Sequence, residues 1–199
     1  MKHIKTLVAG LLFMTLASFS LDKLPETFTD LLNRANLTFQ QTAGFEEVKT
    51  IENKQMNYEY AIKHLQKNFE IRYAIRPLDE RIQQYEEREK NKKEGDVNFH
   101  PNQLYLGTLQ AIIFNISGGK FSANIQTFDK QAVKEEFNAD WGAMTMVEVG
   151  KEFGQEYKYC MVVAIHKDDF ADAYFFYLSD TKDGFEELLT SAFHSLKFK

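Results

Sequence analysis

Between Trp141 and Leu178 three apolar, strand-like segments follow one another with only short turns between them, and this run limits the possible folds more than any other. They read as Trp141–Val149, Tyr157–His166 and Asp172–Leu178, with Gly154 and the pair Asp168-Asp169 in the turns. Links this short join antiparallel neighbours, because a parallel pair needs a crossover of about a dozen residues or more. Two earlier segments alternate with period two. In Met56–Ile62 the apolar set is Met56, Tyr58, Tyr60 and Ile62; in Phe69–Arg76 it is Phe69, Ile71, Tyr73 and Ile75. Such alternation sends one set to the core and the other to solvent or a pocket. The short link Lys63–Asn68 makes these two a hairpin, and a weaker strand runs from Phe45 to Ile51.

Helical spacing fills the rest. Phe28, Leu31, Leu32 and Ala35 share one face of a short helix near Pro25–Ala35. Asp79–Glu94 is the most charged stretch, with Glu86–Lys90 and Glu89–Lys93 spaced to support an exposed helix that only Ile82 and Tyr85 can seat. Its sparse apolar content makes it the expected place for a partner contact or for mobility. Leu109, Ile112, Ile113 and Ile116 give the next helix a buried face, with Pro101 in its first turn and Gly118-Gly119 as its stop. Asp129 caps another, Asp129–Asn138. The last carries Phe185, Leu188, Leu189, Ala192, Phe193 and Leu196 at helical spacing behind a capping-box pattern, Asp183-x-x-Glu186. Strands at both ends with helices between and after them predict an α+β fold: an antiparallel sheet covered by helices and closed by a C-terminal amphipathic helix.

The first twenty residues read as a leader. Lys2, His3 and Lys5 precede an uncharged apolar run from Leu7 to Ala17, and the small residues Ser18 and Ser20 fit a cleavage before Leu21, with cleavage after Ser18 as the alternative. The run is shorter than the roughly 20 residues of a membrane-spanning helix. Residues 21–199 then read as one domain, periplasmic or secreted. The leader takes Lys2 and Lys5 and no acid, which moves the net charge from −5 to −7. That acidic balance argues against nucleic acid and against an anionic membrane surface. Cys160 is the only cysteine and sits in the apolar run Tyr159–Ile165, so it reads as a buried, inert thiol.

The order of these elements resembles that of the PsbP/DcrB-like proteins. An N-terminal hairpin, a helical middle and three consecutive strands lead to a closing segment that ends Phe193-His194-Ser195-Leu196-Lys197-Phe198, and the resemblance covers Leu37 to Phe198. It implies an α/β/α sandwich on an antiparallel sheet, with a non-catalytic accessory or assembly role in an envelope or lumenal complex.

Three constellations carry enough chemistry to weigh. Arg72 and Arg76 share the outward face of one strand and can converge on an anionic ligand, but Glu59 on the partner strand competes, and a cross-strand Glu59–Arg72 ion pair is the preferred reading. In Asn138-Ala139-Asp140-Trp141-Gly142, Asp140 and Trp141 can wall a ligand site. The preferred reading there is a Trp wedged between helix and sheet, with Asp and Gly shaping the turn. His166, Asp168 and Asp169 are the best candidates for divalent-metal ligands, against ordinary turn chemistry for the two aspartates; His64 and His100 stand alone. No serine nucleophile elbow, phosphate-binding glycine loop, paired-cysteine zinc site or metalloprotease motif occurs, and no cofactor is implied. The expected function is an exported, non-catalytic binding or accessory protein acting on an envelope protein or a small ligand. The alternative is a small exported hydrolase or metal-dependent enzyme whose site is assembled from separate elements.

Overall fold

Apolar side chains project from both faces of the central strands, and helices cover both. The computed structural model describes residues 23–120 and 124–199; the leader read over residues 1–20 lies outside them. The strands are β1 (Leu37–Phe39), β2 (Phe45–Glu47), β3 (Tyr60–His64), β4 (Phe69–Pro77), β5 (Gln126–Thr127), β6 (Trp141–Glu148), β7 (Tyr159–Lys167), β8 (Ala171–Ser179) and β9 (Leu196–Phe198). The helices are α1 (Glu26–Arg34), α2 (Asp79–Lys90), α3 (Tyr105–Ile116), α4 (Lys130–Phe137), α5 (Lys151–Gly154) and α6 (Gly184–Ala192), with a 3-10 turn at Pro101–Gln103 before α3. Seven strands form one sheet in the order β2-β3-β4-β8-β7-β6-β5, with each neighbouring pair antiparallel. Strands β1 and β9 make a separate antiparallel ribbon. The architecture is α+β, with helices packed on an antiparallel sheet.

One face presents Tyr73, Ile75, Phe175, Tyr177, Val163 and Ile165 to Phe28 and Leu32 of α1, Val133 and Phe137 of α4, and Phe185 and Leu188 of α6. The other presents Ala74, Tyr174, Phe176, Val162, Ala164 and Cys160 to Leu109, Ile112, Ile113 and Ile116 of α3 and to Phe153 of α5. Strand β8 is therefore buried at every one of its nine positions. Strand β4 is buried over its first seven, so the face expected to meet solvent, with Arg72 and Ala74, is a second core.

Local signals place several elements. Asp129 caps α4 by accepting from the Gln131 and Ala132 N–H groups at 2.9 and 3.0 Å. Gly118 and Gly119, with φ of +70° and +86°, end α3 as its sequence predicts. None of the α2 side chains is buried. It is tied down by Arg34 of α1, which bonds Asp79 and Glu80, and Glu89 pairs with Lys92.

Other boundaries differ from expectation. The first hairpin strand begins at Tyr60 and not at Met56. Residues 49–57 instead make an irregular strap organised by Asn53, whose side chain accepts from the Gln55 and Met56 N–H groups and donates to the Met56 carbonyl. The closing helix stops at Ala192, and Leu196 enters β9. Asp183 stands at the N-cap of α6 but makes no capping hydrogen bond through its side chain.

Candidate functional site

Two polar clusters lie within the α3-covered layer. The first surrounds Arg72, which β4 carries into the interior at 1% exposure. Its Nε donates to Glu70 Oε1 at 2.6 Å, and its Nη1 donates to the Phe153 carbonyl. Glu70 stands two residues earlier on the same strand, hence on the same face, and its other oxygen accepts from the Tyr157 hydroxyl at 3.4 Å. The guanidinium lies 4.9 Å from the ring centres of both Tyr58 and Phe153, within cation–π range. Arg72 Nη2 is buried and has no hydrogen-bond partner among the described residues. The strap closes this cluster from outside, since Tyr58 also accepts from the Ile51 N–H at 2.9 Å. An open cleft of about 500 Å³, bordered by Ile51, Asn53 and Tyr58, lies on the strap. Burial pushes the Tyr58 and Tyr157 hydroxyls and the Cys160 thiol upward, although Arg72 pulls all three the other way. A buried thiol of that kind is a poor nucleophile.

Arg76 is on the same face as Arg72 but answers to other groups. Its Nη1 donates to both Glu59 oxygens at 2.8 and 2.9 Å, and its Nη2 donates to the Asn57 carbonyl at 2.6 Å. The expected Glu59–Arg72 pair is thus replaced by Glu59–Arg76 and Glu70–Arg72. Glu59 precedes β3 and by register stands opposite Ala74, midway between the two arginines; Arg72 is turned inward to Glu70 and the Phe153 carbonyl, so Glu59 pairs with Arg76. The two arginines are held by separate carboxylates, and no shared anion position lies between them in the described contacts.

The second cluster centres on His166, also 1% exposed. Register pairs it with Asp172 on β8 and with Trp141 on β6. Its Nδ1 lies 2.7 Å from Asp172 Oδ1 and its Nε2 3.0 Å from Asp168 Oδ1. The Tyr105 ring, at the start of α3, stacks on the imidazole at 4.5 Å and meets Trp141 at 4.6 Å. Trp141 is therefore wedged between α3 and the sheet, which is the preferred sequence reading of that residue. Asp140 receives Lys134 Nζ at 3.1 Å on one oxygen and the Asp168 N–H at 3.1 Å on the other. Desolvation raises its carboxyl, and these two bonds more than offset that and hold it below the ordinary range. An open depression of about 590 Å³ beside α4 has Asp140 on its border with Lys134 and Glu135. Gly142 lies within β6 and not in the turn; a Cβ there would stand 2.7 Å from Val133 Cγ2, so it admits α4 to the sheet.

Asp169 parts company with His166. It adopts φ +65° in the β7–β8 turn and exchanges hydrogen bonds with Asn102 at 2.9 and 3.1 Å. His166, Asp168 and Asp169 do not form a ligand set, and among the described residues no three His, Cys, Asp or Glu side chains are placed to hold a metal ion. His64 accepts from the Gln66 and Lys67 N–H groups, and His100 packs on Tyr85 at 4.7 Å; each stands apart from the two clusters. Among the described residues no helix is long and apolar enough to cross a membrane.

No protein-family model and no curated protein matches the chain.

Sequence reasoning missed Glu70, Tyr58, Phe153, Tyr105 and Asp172. Two of these left a signal. Glu70-x-Arg72 places opposite charges on one strand face, and the Asp168–Phe170 turn sets His166 opposite Asp172 once hairpin register is counted outward from it. Tyr58, Phe153 and Tyr105 arrive from separate elements, and nothing local marks them.

Proposed function

We propose that the chain is an exported, non-catalytic protein of the cell envelope that binds a partner protein or assists assembly, as the PsbP/DcrB-like resemblance implies. The observation that carries this reading is that each candidate ionisable side chain is engaged by neighbouring groups of the protein itself. Arg72 is spent on Glu70 and Phe153, Arg76 on Glu59, His166 on Asp172 and Asp168, and Asp140 on Lys134 and Asp168. Groups consumed in this way hold strands and turns together. A catalytic site instead presents such groups to a cavity where a reacting atom can sit. Helices on both faces of an antiparallel sheet also suit the sandwich that the resemblance implies. The basic head and apolar run before Leu21 supply the case for export.

The partner contact is assigned to α2 and the segment after it. Asn98 donates to the Tyr85 carbonyl and to Glu89, and His100 packs on Tyr85, so alternate residues of this segment dock on α2. The residues between and before them, Phe99 and Val97, are 60% and 76% exposed. The test is site-specific photo-crosslinking in the producing cells, with a photoreactive residue at Phe99 or, as control, at exposed Lys130 on α4. Recovered protein is weighed intact to locate its start. A chain beginning near Leu21 that gives discrete adducts from position 99 and none from 130 is expected. A chain that keeps residues 1–20 removes the export claim, and equal smears from both positions remove the contact surface.

A further inference from the structure

A neutral imidazole carries one N–H, so it can donate to one carboxylate while its other nitrogen offers a lone pair. His166 faces a carboxylate at each nitrogen, Asp172 at 2.7 Å and Asp168 at 3.0 Å, inside a layer where it is 1% exposed. Only the imidazolium satisfies both. We propose that His166 is a proton-operated latch, whose charged form clasps the β7–β8 turn through Asp168 and whose neutral form releases that turn and the start of α3.

The surroundings make the two contacts unequal. Asp172 is 3% exposed and fixed in β8, so it keeps its bond to Nδ1–H in either state. The Asp168 side chain is 59% exposed and free to swing into water when Nε2 loses its proton. From β4 the neighbour of Asp172 is Arg76, which is turned to Glu59. From β6 comes Asp140, bound to the Asp168 N–H and to Lys134 of α4. Lys167 is next on β7 and donates to the Asn138 carbonyl. From α3 comes the Tyr105 ring. Burial opposes the positive charge, and the hydrogen bonds and charges of Asp172 and Asp168 outweigh it, raising His166 above its ordinary 6.5. The turn is linked onward through the Asp169–Asn102 bonds to the 3-10 turn that leads into α3. Release of Asp168 therefore reaches Tyr105, which lies between His166 and the only tryptophan, Trp141.

That stack supplies the readout. Trp141 fluorescence is followed from about pH 5 to about pH 9 in a chelating buffer, so that no divalent ion competes with the proton. The expected result is one transition with its midpoint above 6.5. In Asp168→Asn, a change on the exposed turn, the midpoint moves down; in His166→Gln the transition disappears. Ring-carbon NMR shifts of His166 in the folded wild-type chain give the same midpoint without any substitution. A flat wild-type profile, or a midpoint unmoved in Asp168→Asn, overturns the latch. So does a transition that tracks the His100 ring, which packs on Tyr85 and accepts from the Asn102 N–H at the start of the 3-10 turn.

Discussion

Arg72 brings a full positive charge into a layer whose members include Tyr58, Phe153, Phe176 and Cys160. Isolated, such a charge would be expelled, and it stays because Glu70 and the Phe153 carbonyl bond it while two aromatic faces enclose it. Removing one partner strands the other. Arg72→Ala is therefore expected to lower the unfolding free energy by about 3–5 kcal/mol. The double change Arg72→Met with Glu70→Leu should recover most of that, because it removes both charges and keeps the volume. Urea unfolding of the three proteins measures the difference. If Arg72→Ala loses under about 1 kcal/mol, its guanidinium is solvated in the folded protein and the buried pair is wrong. The charges of Arg72 and Glu59 were legible in the sequence, but their partners depended on hairpin register, which moves Glu59 from opposite Arg72 to opposite Ala74, and on Glu70, which takes Arg72 and leaves Glu59 to Arg76.

At the scale of elements, the C-terminus shows how periodicity and pairing compete. Phe185, Leu188 and Ala192 obey helical spacing and are buried in α6, but the same spacing carried to Leu196 passes the true helix end. Leu196 and Phe198 alternate about the exposed Lys197, a period of two, and pair with Phe39 and Leu37 of β1. Three residues of strand are too few to announce themselves beside a strong helical pattern. Their partner lies more than 150 residues earlier, beyond the reach of local reading. Phe198, 2% exposed, should cost about 3–5 kcal/mol when truncated to Ala. Phe193, only partly buried at the helix end, should cost less than about half of that. Denaturant midpoints of the two variants check the order, and a larger loss at Phe193 would return the closing segment to a longer helix.

For the molecule as a whole, the titrating groups define a pH window. Asp79 is held low by its hydrogen bond to Arg34, Glu156 by Lys63, Glu89 by Asn98, and Asp140 by Lys134 against desolvation. Groups depressed in this way stabilise the fold above their unfolded values of 3.8 and 4.5 and lose that contribution as pH falls. His166 is raised, so its contribution is complete below 6.5 and lost as pH rises through its folded value. The melting temperature should thus be highest between about 4.5 and 6.5 and decline on both sides. Calorimetric melts across this range test the sign, and a melting temperature that climbs steadily above pH 6.5 would contradict it.

By itself the sequence determined the elements that repeat a strong local signal: the three consecutive strands, the β4 alternation, the apolar helix α3 ended by Gly118-Gly119, and the Asp129 cap. Each rests on residues within one or two turns of chain, where side-chain period and backbone conformation speak directly. It also determined the antiparallel, helix-covered class, since short links between strands permit little else. Tertiary structure alone decided that β4 and β8 are buried on both faces. Periodicity states that two faces differ and is silent on whether a second layer of helices will cover the polar one. Tertiary structure alone also decided that Tyr58, Phe153 and Tyr105 close over Arg72 and His166. Contacts of that range are set by the joint packing of the sheet and its helices, and no residue records in its neighbours which distant side chain will be brought against it.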